Sequence, residues 1–246
     1  RGERGQPSRL AENVRTDTNR VVRENCLEAL YTHYGDLQLT ADLTAELLRD
    51  RSATIRLMAA RKAGAKGTAT LEQLVNSENA PQAVRVSAFL LFLQRSTDTE
   101  AVQRAVKSAL HGKASLMAAA LSVAHSQCIT LGAHLLDHSE KSEDPQVLKA
   151  LAEYCNPTRD QDAVLRLARL LGSNIDSVVM SASIGLRQFG TPAVVPSLRG
   201  AMNQASPQVK AVLEDAIMAI QSRVCSDVQG GLEMVDSAKG QLSVTD

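Results

Sequence analysis

The segment HSQCITLGAHLLDH, residues 125–138, holds three of the five histidines and one of the four cysteines. Its spacing is His125-x2-Cys128-x5-His134-x3-His138, with Asp137 alongside. Imidazole and thiolate are the usual zinc ligands, and two histidines at i and i+4 share one helical face. A tetrahedral site requires every ligand within ~2.0–2.3 Å of one ion. Cys128 and His134, six residues apart, fall on different faces if both are helical. His125, Cys128, His134 and His138 are thus the candidate metal set. The expectation is that they hold no metal: two exposed histidines, a turn histidine and a buried thiol. No cofactor is expected.

Other chemistry finds less support. The chain carries no G-x-S-x-G elbow, no phosphate-cradling glycine loop and no HExxH pair. Glu143-Asp144 precedes a helical pattern and reads as N-terminal capping. Glu214-Asp215 falls on the expected exposed side of its helix. The reading is a non-enzyme. A modest basic set remains: Arg104 and Lys107 opposite the apolar Val102-Val106 stripe, Arg166 and Arg169 placed likewise in their unit, and Arg199 after Leu198. These five are the candidate partner-binding residues, suited to an acidic protein segment through bidentate carboxylate pairing. With no Trp and 2% aromatics, stacking of single-stranded bases is poorly supported. A phosphate grip on duplex nucleic acid is the alternative, disfavoured by zero formal net charge.

The elements that must position these residues form a repeat. In SPQVKAVLEDAIMAI, residues 206–220, apolar residues recur at helical spacing behind Ser-Pro, and EDPQVLKALAEYC, residues 143–155, repeats the design. The first buried aliphatic of each such helix serves as an anchor: Val22, Ile55, Val84, Leu116, Val147, Val178 and Val209, separated by 33, 29, 32, 31, 31 and 31 residues. Four residues on stand Cys26, Ala59, Ala88, Ala120, Leu151, Ala182 and Leu213; eight on stand Leu30, Ala63, Phe92, Ala124, Cys155, Leu186 and Ile217. All are small or apolar, and i, i+4 and i+8 share one helical face. Second helices follow as Leu71-Leu74-Val75, Val102-Ala105-Val106-Ala109-Leu110, Val164-Leu167-Ala168-Leu171 and Val194-Leu198-Ala201-Met202. Pro81, Pro145 and Pro207 stand before anchor helices, and Gly112, Gly172 and Gly190 near helix ends. A hairpin of this kind cannot bury its apolar stripe alone, so stacking must supply the other wall.

Units of about 31 residues opening D-P-x-V or S-P-x-V, with Val22-Arg23, Ile55-Arg56 and Val84-Arg85 early on, resemble HEAT-type repeats of the short bacterial, phycobilin-lyase-like kind. Met117, Leu148 and Val179 replace that arginine in later units. The resemblance implies an all-α, right-handed α-solenoid of about seven stacked helical hairpins over residues 16–225. Its second helices would line a concave face. It also implies a bacterial source and an interaction scaffold binding a protein segment. The chromophore-handling alternative of the phycobilin-lyase-like kind would need a pocket, for which Tyr154 and scattered acids are on offer. Residues 1–15 read as a polar linker or frayed first helix. Residues 226–246 read as a flexible tail, or as short strands that dock on a partner's sheet edge, carrying G-x-L-x-[MV]-x-D twice, at Gly230–Asp236 and Gly240–Asp246.

Composition agrees with helices: Ala, Leu and Val build the apolar content of 44%. Residues 1–113 carry 17 Lys/Arg against 13 Asp/Glu, and residues 114–246 carry 10 against 14. The four cysteines lie far apart with no CxxC pair, which fits a reducing compartment, the cytoplasm. No apolar run reaches the ~18 residues of a membrane span, so no membrane partner is expected. The start at Arg1, without Met, suits a processed product or an excised fragment.

Overall fold

A computed structural model describes residues 6–239, with side chains through Val224. All regular structure in that range is helical. The chain divides into two compact units, residues 1–120 and 121–246. The first holds α1 (Gln6–Thr16), α2 (Arg20–His33), α3 (Gln38–Leu47), α4 (Ala53–Ala63), α5 (Thr68–Asn76), α6 (Gln82–Arg95) and α7 (Thr99–Leu110). Helix α8 (Ala114–Ser126) contains the division. The second holds α9 (Ala133–Glu140), α10 (Pro145–Tyr154), α11 (Ala163–Leu170), α12 (Asp176–Phe189), α13 (Val195–Met202) and α14 (Pro207–Lys239).

Each anchor falls in an even-numbered helix, and the anchor columns are its buried face. Only Val22, Cys26 and Ala63 among those positions are half-buried; the rest, from Leu30 to Ile217, are buried. In α2 the face is turned by one residue, to Arg23, Leu27 and Leu30. The reason is electrostatic. Arg23 donates from Nε to the Val14 carbonyl at 2.7 Å and from Nη2 to Asp50, and a charge so partnered can be buried.

Within the first unit α2 packs on α4 and α4 on α6, while α1 packs on α3 and α5 on α7. Within the second, α10 packs on α12 and α12 on α14, with α11 against α10 and α12. Segment 6–16 is an integrated helix, its Ala11 and Val14 packed with Leu27, Leu30, Leu43 and Leu47. The copy Gly230–Asp236 lies within α14, so it is helical and not a strand. The strand-like copy Gly240–Asp246 lies outside the described residues.

Punctuation follows the sequence. Pro145 opens α10 behind Asp144, whose side chain accepts from Gln146 N at 2.8 Å. Gly64 ends α4 at φ +61°, a left-handed conformation that costs glycine least. Arginines close other helix ends. Arg95, the last residue of α6, donates to the Ala60, Gly64 and Arg61 carbonyls at 2.6, 3.1 and 2.7 Å. Arg159 reaches the His125 carbonyl at 3.1 Å, and Arg223 the Arg187 and Gly190 carbonyls at 2.5 and 2.8 Å. Each reaches back 31 to 36 residues, about one repeat. A cation there meets both the orphan carbonyls and the negative end of the helix dipole.

Candidate functional site

The second helices divide the five candidate cations. Arg104 and Lys107 are exposed on α7, opposite its buried face of Val102, Ala105, Val106 and Ala109. Arg104 lies 3.7 Å from Glu100, one turn earlier. In the second unit Arg169 is exposed on α11, 3.5 Å from Glu140, and Arg199 is exposed on α13. Arg166 is the exception.

Arg166 is 1% exposed, so it does not belong to an exposed stripe. Its Nε donates to Asp160 at 3.1 Å, and its Nη1 to Asp137 at 3.0 Å and to Glu140. Burial pulls its pKa down, but the bonds to Asp160 and Asp137 outweigh that and raise it. The guanidinium ties α9, the turn before α11, and α11 together. It is a structural hub and corrects the sequence reading. The α11 face is accordingly Ala163, Arg166, Leu167 and Leu170, with Val164 and Ala168 only half-buried.

The histidine segment spreads out. His125 ends the last turns of α8, Cys128 lies in the following connection, and His134 and His138 lie on α9. Among the described residues no three His, Cys, Asp or Glu side chains are placed to hold a metal ion. Cys128 is exposed rather than buried, at φ +57°, and its Sγ accepts from Arg159 Nη2 at 3.0 Å. The connection is held from beneath by Tyr154, fully buried. Its hydroxyl accepts from Leu131 N at 2.9 Å and donates to the Ile129 carbonyl at 3.1 Å. Cys155 beside it is buried; that burial, then Asp160, pushes its thiol up to about 12.

A basic cleft of about 770 Å³ opens in the first unit where α2, α4 and α6 begin. Arg20, Arg23, Arg51 and Arg56 line it, with Thr54 and Ser77 among the hydroxyls and no carboxylate in its wall. Arg20 donates to Glu24 at 2.6 Å and to Thr54 at 3.0 Å. Arg56 donates one Nη1 bond to the Asp50 carbonyl at 2.8 Å. Arg51 is exposed and pairs with no acid among the described residues. In the sequence Arg23 and Arg56 read as marks of the repeat. Their recurrence just inside successive helix starts was the signal that one edge is cationic.

No protein-family model matches this chain, and no curated protein matches it. No helix among the described residues is long and apolar enough to cross a membrane.

Proposed function

We propose that the chain is a non-enzymatic interaction scaffold, a right-handed HEAT-like solenoid that holds an acidic segment of a protein partner. Arg104 and Lys107 on α7, Arg169 on α11 and Arg199 on α13 are its contact residues. The observation that carries this reading is the outward placement of those cations, opposite the buried faces of second helices. In a solenoid the second helices line the concave surface. Exposed ion pairs contribute roughly 0.2–1 kcal/mol each, so a row is needed for useful affinity. The chromophore-handling alternative has less support, since the Tyr154 hydroxyl is committed to Leu131 and Ile129.

The test is a titration of the whole chain with a labelled acidic peptide and, separately, with duplex DNA at two salt concentrations. The peptide should bind, and charge reversal of Arg104 and Lys107 together, or of Arg169 and Arg199 together, should weaken it. Tight, steeply salt-dependent duplex binding with no peptide binding would instead mark a phosphate-backbone grip.

A further inference from the structure

We propose that the arginine-lined cleft at the starts of α2, α4 and α6 is a second peptide site, binding an extended acidic segment through carboxylates spaced about three residues apart. The inference rests on the acidic-partner reading above and assigns a face which that reading leaves out. The charge balance comes first. Four arginines and no carboxylate line the cleft. Of the acids beside it, Asp50 is committed to Arg23 and to Ser52 N at 2.7 Å, Glu24 to Arg20 and Asp17 to Asn19 N at 2.7 Å, while exposed Glu78 flanks the rim between Ser77 and Asn79 without lining it. Among the described residues nothing claims the guanidinium of Arg51, and Arg56 spends only Nη1. A planar guanidinium pairs bidentately with a carboxylate, so these two are set to receive anions.

The geometry selects an extended ligand. The lining comes from three successive repeats, from Thr18 and Arg20, through Arg51 to Arg56, to Ser77 and Pro81. Packed helices lie ~8–10 Å apart, and an extended chain advances ~3.3 Å per residue. Two acids about three residues apart would therefore meet the arginines of the α2 and α4 repeats, with Ser77 and Asn79 of the next repeat left to the peptide's polar groups. A compact oxyanion would engage one or two arginines and leave most of the ≈ 770 Å³ to water. Asn19 caps α2 by accepting from Val21 N at 2.9 Å, whereas Ser52 makes no side-chain cap bond to α4, so the first turn of α4 is the one left open to an anion.

The experiment uses the full chain and two fluorescein-labelled peptides, one with Glu at every third position between Gly and Ser, the other with the same acids clustered at one end. Anisotropy should show the spaced peptide binding more tightly, with affinity falling as salt rises. Arg51→Glu, or Arg20→Ala with Arg51→Ala, should weaken it about tenfold or more. Both arginines are exposed, and circular dichroism checks that the fold persists. Lys210→Glu, at an exposed cation outside both sites, should leave this peptide's affinity unchanged, and Arg104→Glu with Lys107→Glu reports the share held by α7. The cleft assignment is overturned if the Arg51→Glu chain binds equally well, if only the α7 variant loses binding, or if the clustered peptide binds as tightly. Displacement of the peptide by equimolar inorganic phosphate or duplex DNA would overturn it too. If the wild-type chain binds neither peptide, the acidic-partner reading falls with it.

Discussion

Arg166 sits where α9, the turn at Asp160 and α11 meet, and its surroundings set what its loss would do. Its three carboxylates differ in exposure: Asp160 has 3% of its side chain in solvent, Glu140 18% and Asp137 56%. Arg166→Met would leave Asp160 buried without its counter-charge, a change that costs roughly 3–5 kcal/mol. Urea denaturation should show a large fall in midpoint. Arg169→Ala, at an exposed position, should cost no more than ~1 kcal/mol. If the two variants melt alike, the hub is not holding α11. The cysteines make a second residue-scale test. The folded state keeps the Cys155 proton from an ordinary 9.0 up to about 12, while the unfolded chain releases it above the lower value. Stability is therefore undiminished below about pH 9 and falls as pH rises through that window. Cys155→Ala should flatten the alkaline limb of a plot of urea midpoint against pH. Iodoacetamide on the native protein should label exposed Cys128 and spare Cys155, as read by mass spectrometry. Arg166 was illegible in the sequence because its acids lie 6, 26 and 29 residues away. A helical wheel drawn on one segment cannot show partners brought in by others.

At the scale of the helix, burial in columns is what the sequence displayed best. Ala182 is fully buried in the middle of α12, which packs on α10 and α14. Ala182→Glu should place an unpaired charge there and cost roughly 3–5 kcal/mol; an unchanged melting temperature would show that α12 faces another way. Asp144→Ala removes the side-chain acceptor at the start of α10 and should cost about 1 kcal/mol, measured the same way. Tyr154→Phe should cost more, about 1–3 kcal/mol, because two main-chain groups lose their buried partner. Helix α3 was the element hardest to read. Its buried face is Thr40, Leu43, Thr44 and Leu47, half of it polar by type. Thr44 Oγ1 donates to the Thr40 carbonyl at 2.6 Å and Thr40 Oγ1 to the Tyr34 carbonyl at 2.7 Å. Hydroxyls bonded to the main chain in this way pack as small hydrophobes. The same point explains Arg23 in α2: the apolar alphabet marks core positions only where polar atoms lack internal partners.

For the molecule as a whole, each unit carries its own buried columns, so stability is expected to be distributed along the chain. If repeats interact chiefly with their neighbours, Ala182→Glu should raise hydrogen exchange most in α10, α12 and α14. Exchange in α2 and α4 should stay near wild type. Uniform loss of protection would point to a single cooperative unit. The arginines that close the helix ends have a bearing on how such a chain can lengthen. Arg95, Arg159 and Arg223 each complete a helix that lies one repeat earlier. Duplicating a hairpin that lacks such an arginine, as α4 with α5 does, would leave the end of one copy of α4 bare, since Arg95 can serve only one of them. A copy that begins within one hairpin and stops after the arginine of the next carries both halves of the clasp. The stretch of gene that can be multiplied without loose ends is thus out of phase with the stretch of chain that folds as a hairpin.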